Sequence, residues 1–256
     1  MKSKTVLITG ATSGIGKATA KAFAKGGHHL IITGRREKKL QELTNKLSTK
    51  YAIDVMHLSF DVRDVAAVKK AVKQIKLKKK RVDVLINNAG LAKGFGPIHE
   101  GKIEDWETMI DTNMKGLLYM TRHIAPMMVK VKNGHIINVA SIAGKQVYPN
   151  GNVYCATKHA VDALTKAMRI DLHTHSIRVG QVAPGHVEQT DFALVRYNGD
   201  AEKAKIYEDF TPVNSKDIAK IIYFMASQPT HVNIQDILVM GSQQASSTII
   251  DKKGRI

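Results

Sequence analysis

Cysteine is nearly absent. Cys155 stands alone in 256 residues, so no internal disulfide can form and no cysteine-based metal cluster is available. Acidic residues are scarce as well: 22 Asp and Glu face 39 Lys and Arg, a formal net charge of +17 and a pI near 9.8. No uninterrupted apolar run approaches the ~18 residues that a membrane-spanning helix needs. Met1-Lys2-Ser3-Lys4 leads straight into a strand-like run without a small-residue cleavage site, which argues against a secretory signal and for a cytoplasmic protein. There is no linker rich in Pro, Gly or Ser and no repeat of fixed period. The 11 histidines show no ligand spacing, so no metal is expected.

Apolar residues, at 43% against 24% charged, are plentiful enough for one large domain with a substantial core. Short apolar runs at residues 4–9, 29–33, 53–60, 82–86, 135–139, 177–182 and 234–240 read as strands. Helical stretches fall between them: up to residue 25, then 37–50, 64–75, 104–131, 152–173 and 215–227. Pro126 marks an expected bend or break in the long fourth stretch. Strand and helix alternating this often imply a parallel sheet covered on both faces. The expected fold is therefore α/β, a single-domain Rossmann-like, doubly wound, seven-stranded parallel sheet over residues 1–243. Residues 244–256 read as a polar C-terminal tail, poorly ordered unless a neighbouring subunit holds it.

The first strand is followed by Gly10-Ala11-Thr12-Ser13-Gly14-Ile15-Gly16, which opens a helix. Glycines there let the backbone approach a pyrophosphate, and the helix N-terminus attracts its charge. The spacing G-x-x-x-G-x-G differs from the common dinucleotide fingerprint, and a plain glycine turn is the competing reading. The second strand ends before Arg35-Arg36, where an NAD-selective site places an acidic residue. Two arginines can instead grip a 2′-phosphate through charge-assisted bonds, so NADP is preferred to NAD. The bland alternative, that they solvate a helix start, fits poorly beside the positive end of a helix dipole. Asp61-Val62 ends the third strand, where a carboxylate can accept from an adenine amino group. Asn87-Asn88-Ala89-Gly90 ends the fourth, where a nicotinamide ribose would pass.

Tyr154 and Lys158 share a helix face at i and i+4, thirteen residues after Ser141 ends the fifth strand. A tyrosine titrates near ~10 when free. A cationic lysine beside it, together with the positive nicotinamide of an oxidised cofactor, is expected to lower that value, so that Tyr154 exchanges a proton with a carbonyl oxygen while Ser141 orients the same oxygen. Alone, Tyr-x-x-x-Lys is common on helix surfaces; behind a nucleotide-binding half it points to chemistry.

Together Thr9-Gly10-Ala11-Thr12-Ser13-Gly14-Ile15-Gly16, Asn87-Asn88-Ala89-Gly90, Ser141, Tyr154-x-x-x-Lys158 and Pro184-Gly185 resemble the short-chain dehydrogenase/reductase family across essentially the whole chain. The resemblance implies that Asn113 completes an Asn–Ser–Tyr–Lys tetrad, holding a water that links the lysine to solvent. It also implies that residues 184–192 close over the nicotinamide, with Val187 and Thr190 in contact with carboxamide and phosphate. Asp105-Trp106-Glu107-Thr108-Met109-Ile110-Asp111-Thr112-Asn113, Gly151-Asn152-Val153-Tyr154, Val195-Arg196-Tyr197-Asn198-Gly199-Asp200 and His231-Val232-Asn233-Ile234 are similar to the family's NADP-dependent 3-hydroxy acid dehydrogenases. That subgroup implies oxidation of serine, allo-threonine or 3-hydroxyisobutyrate-type acids, or reduction of the matching semialdehydes, by a homotetramer. His186 and Gln189 depart from the smaller or apolar residues expected in the closing loop. A hydroxy acid brings a carboxylate that needs a cation or donor. Arg196 is the first candidate, Lys145 and Gln146 the next, with an interface role for Arg196 as the competing reading.

Lys76-Leu77-Lys78-Lys79-Lys80-Arg81 is the densest basic cluster, and a nucleic-acid-binding protein is the reading from a different class. No aromatics interleave with the run, no DNA-reading motif occurs, and lysines outnumber arginines 30 to 9. A solvated turn is expected, and no nucleic-acid partner. An inactive scaffold sits badly with an intact Ser141, Tyr154 and Lys158.

Overall fold

The computed structural model describes residues 3–78 and 81–256; Lys79 and Lys80 of the basic cluster lie outside the described residues. The chain runs β1 (Thr5–Ile8), α1 (Gly14–Lys25), β2 (His29–Gly34), α2 (Glu37–Tyr51), β3 (Val55–Ser59), α3 (Val65–Leu77) and β4 (Val84–Asn87). It continues through α4 (Ile103–Ile110), α5 (Leu117–Lys130), β5 (Gly134–Val139), α6 (Asn152–Leu172), β6 (Ile177–Pro184), β7 (Val187–Glu188), α7 (Phe192–Arg196), β8 (Val213–Asn214), α8 (Ser215–Ser227) and β9 (Asp236–Val239).

Seven strands pair in the order β3-β2-β1-β4-β5-β6-β9, all parallel, as the uninterrupted apolar runs implied. Pleating sends alternate residues to opposite faces. Val6, Ile8, Leu30, Ile32, Val84 and Ile86 thus pack against Phe23, Leu40 and Ile222 of α1, α2 and α8. Leu7, Ile31, Leu85 and Ile136 pack with Val68, Met120 and Val161 of α3, α5 and α6. β1 lies between β2 and β4, so the chain winds away in both directions from that point. Open α/β sheets bind ligands in the crevice this leaves beyond the strand ends.

Local chemistry fixes the ends of the elements. Asp64 caps α3 by accepting from the Ala66 and Ala67 N–H groups at 2.8 and 3.0 Å. Asn214 and Asp217 form a reciprocal capping box on α8. Inside, a chain of neutral bonds ties strands to helices. Asn87 Nδ2 donates to Asn138 Oδ1 at 2.9 Å and to Thr121 Oγ1 at 3.0 Å, and Asn138 Nδ2 donates to Thr165 Oγ1 at 2.9 Å.

Two sequence expectations need correction, and one small element adds to them. The helix through Pro126 continues to Lys130, and the irregularity lies earlier, where Asp111–Gly116 forms a wide π-helical turn between α4 and α5. The short β7–β8 pair was not expected from the sequence, because two-residue strands carry no periodicity. Residues 244–256 fold back onto the domain. Gln244 is buried, and its Oε1 accepts from His186 N at 2.9 Å; Arg255 pairs with Glu188 at 2.9 Å. Their polar side chains are used internally, which composition alone cannot reveal.

Candidate active site

A cavity of about 670 Å³ opens at the carboxyl ends of the strands, a size ordinary for a cofactor-and-substrate cleft. Gly10, Thr12, Ser13, Gly14, Ile15, Arg35, Arg36, Asp61, Val62 and Asn88 line one end. Ser141, Tyr154, Lys158, Pro184, Gly185, Val187 and Arg196 line the other, and Thr190 stands against Gly14, where an added Cβ would meet it at 3.1 Å. Three of the expected site residues, Gly16, Gln146 and Asn113, are absent from the wall. Gly16 packs beneath it: a Cβ there would stand 2.4 Å from Gly10 O, so the glycine serves the tight turn and not a ligand. Gln146 accepts from Ser247 N at 2.8 Å, anchoring the C-terminal segment, and does not line the cavity.

At the glycine turn, Gly10 and Gly14 take φ of +67° and +49°, which disfavours side chains there. Asn88 Nδ2 donates to Thr9 O and Gly10 O at 2.8 and 3.2 Å, holding the turn against the end of β4. Ser13 precedes α1 without capping it, and the first turn has no acidic residue, so its N–H groups and dipole remain open to an anion. The Ser13 and Thr12 hydroxyls instead accept from Arg36: Nη2 reaches them at 2.8 and 2.7 Å, and Nη1 pairs with Asp191 at 3.1 Å. Arg35 stands at the cavity edge, 3.9 Å from Asp61. Asp61 itself is engaged by Arg63 at 2.7 Å, so its carboxylate is shared where a free acceptor for adenine was expected. Open amides, two arginines and no free carboxylate suit a phosphorylated dinucleotide. Arg35→Ala with Arg36→Ala is therefore expected to raise the KM for NADPH at least ~10-fold while leaving that for NADH nearly unchanged. Steady-state kinetics with both cofactors check this, and unchanged selectivity would refute the arginine assignment.

Two of the candidate residues, Tyr154 and Lys158, sit on α6. Tyr154 is fully enclosed, and burial pushes its hydroxyl up to about 12, opposed by a hydrogen bond with Ser141 and by the Arg196 charge. Desolvation outweighs the Arg196 charge here, whereas the lowering expected from sequence counts the positive nicotinamide as well. Tyr154 therefore stands as a neutral phenol, the form that donates a proton. Burial brings Lys158 down to about 8; its Nζ donates to Val139 O at 3.0 Å and lies 5.9 Å from the Tyr154 ring centroid. Asn113 sits in the wide turn, accepting from Leu91 N at 2.9 Å and donating to Leu91 O at 2.8 Å and Thr157 Oγ1 at 3.1 Å. A Cβ on Gly90 would stand 3.2 Å from Asn113 Oδ1 and 3.6 Å from Lys158 Nζ, so the two groups share one gap. Asn113 itself is not part of the wall.

Arg196 is 8% exposed and caged by rings. Its guanidinium carbon lies 4.7, 5.3, 5.5 and 5.8 Å from the centroids of Phe95, Tyr148, Tyr154 and Phe192. Nη2 donates to the Tyr148 hydroxyl at 2.8 Å, while Nε is buried without a partner. Among the described residues no carboxylate pairs with it. Lys145, the alternative cation, bridges Asp162 and Asp236 and is not free for a ligand. Sequence reading missed Tyr148, Phe95, Phe192 and Tyr207, which come from separate loops and helix starts with no shared spacing. It also missed Ser247, Thr248, Ile250 and Lys252, which bring the C-terminal segment into the wall.

Fold and site together define an oxidoreductase of the dinucleotide-binding α/β class. The family model described as short chain dehydrogenase matches residues 4–198, and the chain belongs to that family. The NADP-dependent 3-hydroxy acid dehydrogenase YdfG of Salmonella typhi is 45% identical over 241 residues, 94% of this chain and 96% of that relative. Sulfoacetaldehyde reductase 2 of Chromohalobacter salexigens is 43% identical over 96% of this chain and 97% of its own length. A closed form of serine dehydrogenase complexed with NADP+ superposes with a TM-score of 0.90 at 42% identity, covering 95% of this chain and 97% of that one. Among the described residues no helix is long and apolar enough to cross a membrane.

Proposed function

We propose that this protein is an NADP-dependent oxidoreductase that moves a hydride between the nicotinamide and a short 3-hydroxy acid or its semialdehyde. The observation that carries the substrate class is Arg196, a buried guanidinium without a carboxylate partner among the described residues, 5.5 Å from the Tyr154 ring. A buried cation left this way calls for an anion. With the substrate carboxylate on Arg196, the reacting carbon falls beside Tyr154 and Ser141.

Ser141 Oγ and the Tyr154 hydroxyl both hydrogen-bond the carbonyl oxygen and fix its orientation. When bound, the nicotinamide supplies or takes up the hydride and, oxidised, adds a positive charge beside the phenol. Tyr154 gives its proton to the oxygen during reduction and recovers it through Lys158, whose value near 8 allows exchange at neutral pH. Asn113, whose Oδ1 faces the same gap as Lys158 Nζ, holds a water that links the lysine to solvent. Arg35 and Arg36 hold the 2′-phosphate, and Val187 and Thr190 contact the carboxamide and phosphate. The same reading makes the enzyme a cytoplasmic homotetramer.

Arg196→Leu tests the anchor. It is expected to raise KM for carboxylate substrates roughly 100-fold, with a much smaller change for an uncharged aldehyde such as propanal. Equal losses on both substrates would remove Arg196 from substrate binding.

A further inference from the structure

Asp191 stands just before α7, at the position where an aspartate ordinarily accepts from the N–H groups of its own helix. Asp64 does so on α3, and Asn214 on α8. Asp191 makes no such bond. Its carboxylate reaches across to the glycine turn, where it accepts from Arg36 Nη1 at 3.1 Å and from the Ser13 hydroxyl. The residue before it is seated on the same turn, since Thr190 Cγ2 is what an added Cβ on Gly14 would meet.

Among the described residues, Asp61 and Asp191 are the two carboxylates of the cavity wall, and Asp191 is the one that pairs with Arg36. Burial works to raise the Asp191 carboxyl, but the bonds from Ser13 and Arg36, with the Arg36 and Lys39 charges, outweigh it and hold the group below the usual carboxylate range. A negative charge therefore occupies two donors at the mouth of the glycine turn at neutral pH. Both side chains of the Arg36–Asp191 pair are about half exposed, and a pair of this kind is weak enough to be exchanged for another anion.

Resting on the assignment of the 2′-phosphate to Arg36 above, we propose that Asp191 is a cofactor-discriminating residue: the closing loop carries its own anion onto the arginine that receives the phosphate, and so weakens the hold on NADP(H) alone. A phosphate arriving at Arg36 meets one of two costs. Either Asp191 gives up its bonds to Arg36 and Ser13, or it stays and two negative groups share one guanidinium. A cofactor without the 2′-phosphate meets neither, because the Arg36–Asp191 pair is left as it stands. Asp191 thus narrows a preference that Arg35 and Arg36 create.

Asp191→Asn tests this, since it removes the charge and keeps the shape and a side chain able to cap α7. Fluorescence titration with NADPH and NADH, and calorimetric titration with 2′,5′-ADP and 5′-AMP, read affinity without turnover. The substitution is expected to tighten NADPH and 2′,5′-ADP about five- to tenfold and to leave NADH and 5′-AMP within about twofold. The gain should shrink in about 0.5 M KCl, where the relieved repulsion is screened. Asp191→Ser, a second uncharged capping residue, is expected to give the same order, so the test does not hang on one variant folding. Unchanged or weaker binding of the phosphorylated pair, or equal tightening of both pairs, overturns the proposal while the parent's preference for 2′,5′-ADP keeps the phosphate assignment standing. A parent protein that binds 2′,5′-ADP no better than 5′-AMP overturns that assignment and the proposal with it.

Discussion

Replacing Tyr154 by Phe is expected to lower kcat by roughly 10²–10⁴-fold while NADPH binds within a few-fold of the parent affinity. The substitution removes one oxygen and keeps the ring. The ring is what Lys158 and Arg196 approach at 5.9 and 5.5 Å, so both cations keep their packing and the cavity keeps its shape. The lost hydroxyl leaves Ser141 to orient the substrate oxygen without a proton donor. Lys158 cannot substitute, because its Nζ is tied to Val139 O, and burial has placed its proton exchange near 8 at a site behind the phenol. Steady-state turnover beside a fluorescence titration with NADPH separates chemistry from binding. Retention of more than a tenth of the parent kcat would take the acid–base role away from Tyr154.

Acid is expected to destabilise the fold through one histidine far from the chemistry. His135 lies in β5 opposite Val84 of β4 and Arg178 of β6, 1% exposed, with neither ring nitrogen bonded. Burial, reinforced by the Arg178 and Lys4 charges, brings it down to about 3. Its unfolded value is near ~6.5, so between about 6.5 and 3 the unfolded chain binds a proton that the folded one refuses. Stability from this residue is complete above ~6.5 and is lost as pH falls, at about 1.4 kcal/mol per unit, or roughly 3 kcal/mol by pH 4. His135→Leu should remove that slope. It should also stabilise the protein at neutral pH by about 1–3 kcal/mol, since two unpaired nitrogens disappear from the core. Urea unfolding of both proteins at pH 7, 5.5 and 4.5 measures the difference, and parallel pH dependences would sink the argument.

Why some of this was readable from sequence and some was not follows from the kind of signal each feature leaves. The seven strands were legible because both faces of a parallel sheet are buried, and Val6, Leu7 and Ile8 write that burial as an unbroken apolar run. Tyr154 and Lys158 were legible because a helix face has a period, and the glycine turn because backbone demands restrict residue choice. The ring cage around Arg196 was not, since Phe95, Tyr148 and Phe192 meet only in three dimensions. Lys145 looked like a free cation near Ser141 until Asp162 and Asp236 were seen beside it. The burial that raises Tyr154 was not legible because sequence shows neighbouring charges but not how completely water is excluded.

The wide turn at Asp111–Gly116 sets a phase relation between chemistry and scaffold. Buried positions step by four along this stretch, through Met109, Asn113, Leu117, Thr121 and Ala125, and again through Thr112, Gly116, Met120, Ile124 and Met128. In a helix of 3.6 residues per turn each such step drifts about 40° around the axis, so two rows this long would spiral out of the core. One wider turn absorbs an extra residue and takes up much of that drift. Deleting a single residue between 111 and 116 would let the helix run with regular pitch. Either Asn113 would then swing away from Leu91 and Thr157, or the α5 stripe would rotate off the sheet. Chain length is locked at this point because the row that carries Asn113 and the stripe of α5 that faces the sheet must stay in step.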